Sequence, residues 1–83
     1  MYYLYVLKSK KNGSFYIGST KDLRKRFKQH NSGKSLFSKK FLPWELVYYE
    51  AYQKYKYAFR REKSFKKRAK AWQELLKRLE IKR

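Results

Sequence analysis

An Asn12-Gly13 pair stands between two aromatic and β-branched runs, Tyr2-Tyr3-Leu4-Tyr5-Val6-Leu7-Lys8 and Phe15-Tyr16-Ile17-Gly18, and restricts this chain's fold more than any other feature. Asn and Gly tolerate the positive φ of a tight hairpin turn, and the flanking residues suit a pleated sheet. With Asn12 and Gly13 as the two turn residues, Lys11 pairs with Ser14, Ser9 with Tyr16 and Leu7 with Gly18. Side chains alternate along a strand, so Tyr5, Leu7, Tyr16 and Gly18 share one face of the sheet. A loop of another length would alter the pairing.

Beyond the hairpin the hydrophobic period changes. Ser19 or Thr20 can cap a helix running from Lys21 to about Asn31, with Asp22 in its first turn and Leu23, Phe27 and His30 on one stripe. Asn31-Ser32-Gly33 ends it, and a basic loop from Lys34 to Lys40 follows. Pro43 marks the start of a third strand over Trp44 to Tyr52. From about Lys54 a helical pattern places Tyr55, Ala58, Phe59, Glu62, Phe65 and Ala69 at three- and four-residue steps. A last helix over Ala71 to Ile81 aligns Trp72, Leu75, Leu76 and Leu79. The expected fold is mixed α/β in the order β-β-α-β-α-α, a three-stranded antiparallel sheet with helices packed on it.

The length of 83 residues suits one domain over residues 1–83. The chain has no cysteine and one histidine, which excludes disulfides and a zinc site built from nitrogen and sulfur ligands. Lys and Arg number 24 against 6 Asp and Glu, a net charge of +18, so a polyanion is the natural partner. An aromatic content of 20% separates it from disordered basic tails. No apolar run approaches the length of a membrane span and the first residues lack the order of a secretory signal, so the expected location is the cytoplasm. Oligomeric state is not legible.

Three places depart from simple packing. Glu62 falls on the apolar stripe of its helix, four residues after Ala58 and three before Phe65, where a carboxylate is costly unless it pairs with a base or binds a cation. An ion pair is the commoner outcome for such an acid. Arg26 and His30 are i, i+4 neighbours flanking Leu23 and Phe27; by spacing alone Arg26 could pair with Asp22, and His30 could be a helix-end imidazole. Tyr5 and Tyr16 share a face with Gly18, whose missing side chain leaves room for a pocket.

These positions resemble those of the GIY-YIG nuclease family. Tyr3-Leu4-Tyr5, ten residues, then Tyr16-Ile17-Gly18 is similar to the paired motif; Arg26 follows the glycine by eight residues and His30 by twelve. Glu62, within Ala58-Phe59-Arg60-Arg61-Glu62-Lys63, resembles the family's metal-binding glutamate. The resemblance covers nearly the whole chain and is closest to small stand-alone bacterial members related to the N-terminal nuclease domain of the excinuclease C subunit. It departs in three ways. Tyr3 replaces the first motif's glycine, Ser19 stands where some relatives carry lysine, and no late Pro-x-Tyr-Asn follows the glutamate.

The resemblance implies a divalent-metal-dependent endonuclease acting on DNA, in repair or recombination. Glu62 would bind Mg²⁺ or Mn²⁺, Arg26 would hold the phosphate, Tyr5 or Tyr16 would orient or deprotonate the attacking water, and His30 would orient a tyrosine or carry a proton. A tyrosine near pKa 10 is a poor base at neutral pH, so the arginine and the positive field are expected to lower it. Lys34, Lys39, Lys40, Lys63, Lys66 and Lys67 are candidate phosphate contacts. Two rivals stay open: a non-catalytic nucleic-acid-binding module on the same scaffold, and a basic ribosome-associated structural protein.

Overall fold

The computed structural model describes residues 1–33 and 38–80. Strands β1 (Tyr2–Ser9) and β2 (Phe15–Thr20) are followed by α1 (Leu23–Asn31), β3 (Trp44–Tyr52), α2 (Tyr55–Lys66) and α3 (Lys70–Arg78). The expected element order holds. The sheet is antiparallel, with β1 central in the order β2-β1-β3.

The hairpin forms with a longer turn than expected. Ser9 N donates to Ser14 O at 2.7 Å and Gly13 N donates to Ser9 O at 2.9 Å, so Lys10 to Gly13 all lie in the turn. Gly13 alone in this turn takes a positive φ, +77°, whereas the two-residue turn requires it at Asn12 as well. The Ser9 hydroxyl fixes the longer loop by accepting from the backbone N–H groups of Lys11 and Asn12 and donating to Phe41 O at 2.6 Å. Tyr5 therefore pairs with Gly18 and Leu7 with Tyr16. The shift is two residues, so every side chain keeps its expected face.

Each face of the sheet is covered. Leu4, Val6, Phe15 and Ile17 pack against Phe65 of α2 and Trp72, Leu75 and Leu76 of α3. Phe65 is fully buried, with ring contacts to Tyr48 and Trp72, and truncating it to Ala would cost about 3–5 kcal/mol. On the opposite face Tyr5, Leu7 and Trp44 pack with Leu23 and Phe27 of α1. A bulge opposite Val6 and Leu7 adds one residue to β3, so that Tyr48 faces α2 while Leu46 and Trp44 face α1.

The helix boundaries differ from expectation for local reasons. Asp22, not Ser19 or Thr20, caps α1; its carboxylate accepts from Lys25 N at 3.0 Å, and Ser19 and Thr20 complete β2. Arg68, with φ +55°, breaks the chain between α2 and α3, so Ala69 does not extend the α2 stripe. Ile81 and Lys34 lie outside the described residues. Tyr55 and Phe59, expected on the core stripe, are 49% and 41% exposed; the buried residues of α2 are Ala58 and Phe65. Among the described residues no helix is long and apolar enough to cross a membrane.

Candidate active site

Tyr5 and Gly18 are paired across β1 and β2, and the tyrosine ring fills the space a side chain at Gly18 would need. A Cβ there would stand 2.6 Å from the Tyr5 hydroxyl oxygen and 2.8 Å from Cζ. Only glycine allows this approach. Tyr16 lies on the same face, its ring 6.2 Å from that of Tyr5 and near parallel to it.

The end of α1 delivers His30 between them. Its Nε2 is 3.0 Å from the Tyr5 hydroxyl and its Nδ1 is 2.9 Å from Ser38 Oγ, while its ring centroid is 4.5 Å from that of Tyr16. Ser38 opens a 3₁₀ turn over Ser38–Phe41 and is fully buried. Asn31 anchors the helix end by exchanging hydrogen bonds with the Trp44 backbone, and Trp44 Nε1 donates to Ser38 O at 2.8 Å. Burial, with the nearby Arg26 charge, pushes His30 down to about 4, so the imidazole is neutral at physiological pH. It is therefore a wedged, uncharged hydrogen-bonding group, not a cation supported by the helix dipole.

Arg26, one turn earlier on α1 and exposed, directs its guanidinium to the hydroxyls of both tyrosines. The hydrogen bond with Tyr5 holds the guanidinium proton above its ordinary range. Arginine can only donate, so the Tyr5 oxygen accepts from it. The consistent arrangement has the Tyr5 proton donated to Nε2 and the Nδ1 proton donated to Ser38 Oγ. The expected lowering of a tyrosine by the positive field does not hold for Tyr5. Its burial outweighs Arg26 and pushes the hydroxyl up to about 12. No bridge between Arg26 and Asp22 is present, because Asp22 is used as the helix cap.

Glu62 approaches from the other side of the sheet. Gly18 and Ser19 are consecutive on β2 and face opposite ways; Ser19 Oγ donates to Glu62 Oε1 at 2.6 Å. Lys66 Nζ lies 2.6 Å from Oε2, one turn along α2, so both carboxylate oxygens are engaged. The Glu62 side chain is 13% exposed, and its charge acts on the Tyr5 hydroxyl through the strand. Among the described residues no group of three or more His, Cys, Asp and Glu could hold a metal ion. A lone carboxylate beside a hydroxyl fits a cation that keeps most of its waters and takes further ligands from substrate, the habit of Mg²⁺.

Lys39 and Lys40 are exposed on the 3₁₀ turn, and Lys63, Lys66 and Lys67 are exposed at the end of α2. Lys66 is the one drawn onto Glu62. Three polar residues escaped the sequence reading. Ser38 carried no signal, since only the fold brings it to His30. Ser19 could be placed opposite Gly18 by alternation but not matched to Glu62. Glu50 had a signal, an acid alternating with Tyr48 and Tyr52. It accepts from both hydroxyls, that of Tyr52 at 2.5 Å, and from Arg61 Nε at 3.0 Å, tying β3 to α2. Burial works to raise the Glu50 carboxyl, but these bonds outweigh it and hold it below its ordinary range.

A tyrosine pair floored by glycine, an arginine and histidine on the first helix and a glutamate on a later one define a protein of the GIY-YIG class. The chain belongs to this family, whose catalytic domain matches residues 1–75. It is similar to a UPF0213 protein of Streptococcus pneumoniae, 37% identical over 73 residues covering 87% of this chain and 73% of that one. It is likewise similar to the UPF0213 protein YazA of Bacillus subtilis, 40% identical over 75 residues, 89% of this chain and 75% of that protein. The solution NMR structure of the UPF0213 protein BH0048 from Bacillus halodurans matches with a TM-score of 0.57 at 34% identity, covering 95% of this chain and 85% of that one. The family is one of nucleases, and the class of function that follows is nuclease-type chemistry on nucleic acid.

Proposed function

We propose that this protein is a divalent-metal-dependent endonuclease that hydrolyses phosphodiester bonds in DNA, in the cytoplasm and in the service of repair or recombination, through one domain over residues 1–83. The observation that carries the proposal is the convergence of Tyr5, Tyr16, Arg26 and His30 in one polar cluster, with the Glu62 carboxylate one residue away across β2. Gly18 is held to a bare Cα so that the Tyr5 ring can lie over it, which brings a buried tyrosine hydroxyl to His30.

Glu62, with Ser19 beside it, would hold Mg²⁺ or Mn²⁺. Such a cation supplies charge neutralisation on the phosphate. Arg26, exposed and fork-shaped, binds phosphate oxygens in the geometry that guanidinium suits. Tyr5, buried and with its hydroxyl at about 12, is a positioning residue: it keeps its proton and aims Arg26 and Tyr16. Tyr16, partly exposed on the same face, is the tyrosine that reaches solvent and orients the attacking water. Neutral His30 receives the Tyr5 proton's hydrogen bond and passes its own to Ser38, fixing the cluster. Lys66, released from Glu62, adds to phosphate binding with Lys63, Lys67, Lys39, Lys40 and Lys34.

The experiment is plasmid nicking with Mg²⁺ or Mn²⁺ by the wild type and Glu62→Gln. Nicking by the wild type that the variant loses supports the proposal. Failure of the wild type on every nucleic acid and metal tried, or equal cutting by the variant, sinks it. One observation favours a second reading, a binding module without cleavage: Glu62 already has Ser19 and Lys66 as partners, as a purely structural acid would. That reading expects salt-sensitive binding to DNA, no nicking, and binding that Arg26→Ala weakens only by one charge.

A further inference from the structure

The outward face of α2 carries exposed aromatic rings outside the core. Tyr55 and Phe59, 49% and 41% exposed, lie one turn apart on one flank of the helix, and Tyr57, 43% exposed, lies on the other flank. The rings of Tyr55 and Phe59 lie 5.8 Å apart and within 20° of parallel, and Tyr2 of β1 meets Tyr55 edge-on. Cations are interleaved with them: Lys63 lies over Phe59 at 5.3 Å, and Lys56 and Arg60 approach the Tyr57 ring. These rings stand outside both core clusters. The buried side of the same helix is supplied by Ala58 and Phe65.

We infer that this face is a stacking platform for the unpaired bases of a single-stranded nucleic acid, whose bases lie on Tyr55 and Phe59 while its phosphates meet Lys56, Arg60 and Lys63. Exposed aromatic faces alternating with cations suit a strand that offers a π-face and a negative charge at every nucleotide, without regard to sequence. A duplex hides its bases and could use only the cations. Position strengthens the assignment: Phe59 and Lys63 flank Glu62 along the helix, so the platform begins beside the carboxylate and leads away from it. A second copy of the chain does not fit, because apposing two such faces would bring Lys56, Arg60 and Lys63 of each against their counterparts on molecules of charge +18. The inference deepens the proposed function and rests on its nucleic-acid substrate; it assigns the part of the substrate next to the cut an unpaired character.

The test is binding in EDTA, where no cleavage occurs, of a labelled oligothymidine and of a duplex of equal length, at fixed salt. Tyr55→Ala/Phe59→Ala is expected to weaken oligothymidine binding by about tenfold or more and duplex binding by less than about twofold. Tyr55→Phe/Phe59→Tyr, which keeps both rings, should bind oligothymidine as the wild type does, and so controls for folding. An equal loss on both nucleic acids, or no loss on either, overturns the inference. So does a loss confined to vesicles of anionic phospholipid, which would assign the face to a lipid surface. A protein that nicks plasmid but shows no loss here defeats only the platform; one that shows the loss but never nicks defeats only the enzyme.

Discussion

Lowering the pH from 7 to 5 should destabilise this protein through one residue. His30 has an ordinary value of 6.5 and is held down to about 4 in the fold by burial and by Arg26. At pH 7 both folded and unfolded chains carry it neutral, and it contributes no pH dependence. Below 6.5 the unfolded chain takes up a proton that the folded one refuses, so stability falls as pH falls and the loss is complete below about 4. The shift corresponds to about 3 kcal/mol in full and about 2 kcal/mol by pH 5. For a domain of this size 2 kcal/mol lowers Tm by about 8–16 °C. The assay is urea unfolding at pH 7 and pH 5 at constant ionic strength, for the wild type and His30→Gln. No other side chain has its ordinary value in that interval, since this is the only histidine, and the depressed Glu50 carboxyl begins to matter only below its ordinary 4.5. His30→Gln should be less stable at pH 7 yet flat between the two. Equal wild-type stability at both pH values, or a variant that declines as steeply, would refute the reasoning.

Gly18→Ala should displace the Tyr5 ring from a contact of 2.6 Å and break its bond to His30, costing about 1–3 kcal/mol in urea and abolishing nicking with the far-UV spectrum retained; wild-type stability and cutting would contradict the packing described. Glu50→Ala removes the acceptor shared by Tyr48, Tyr52 and Arg61 and should cost about 3 kcal/mol, read from the unfolding midpoint. Lys66→Met should leave stability nearly unchanged and raise Mn²⁺ affinity by up to about fivefold in calorimetry, because a pair whose lysine is more than half exposed contributes at most about 1 kcal/mol that a cation must displace. Weaker Mn²⁺ binding would show instead that Lys66 does not compete.

Much of the fold was legible because its signals are local. Pro43 and the aromatic run after it marked β3 at Trp44–Tyr52, and the alternation of Tyr5, Tyr16 and Gly18 placed them on one face even though the turn differs by two residues. The Asn-Gly signal overstated the tightness of the turn, since the Ser9 hydroxyl competes for its backbone N–H groups. On α2 the three- and four-residue steps admitted two stripes, one through Phe59 and one through Ala58 and Phe65, and hydrophobicity alone did not choose between them. The candidate site was legible where one helix or strand sets the spacing, as for Arg26 and His30. Its tertiary partners, Ser38 at His30 and Lys66 with Ser19 at Glu62, depend on which faces meet. The ionisation of Tyr5 was misread because net charge was weighed where burial dominates.

The sheet itself divides the candidate site. The tyrosines, Arg26 and His30 belong to the layer under α1, whereas Glu62 belongs to the layer under α2 and α3, and only the thickness of β2 at Gly18 and Ser19 lies between them. Each layer has its own buried cluster, and the link between the two halves is the Glu62 charge felt at the Tyr5 hydroxyl. Under the proposed function, loss of the Glu62 carboxylate alone would leave the arginine and its tyrosines in place and convert cleavage into phosphate binding. The same division offers a design route, since a carboxylate can be moved or doubled on α2 without disturbing the hydrogen bonds that set Arg26.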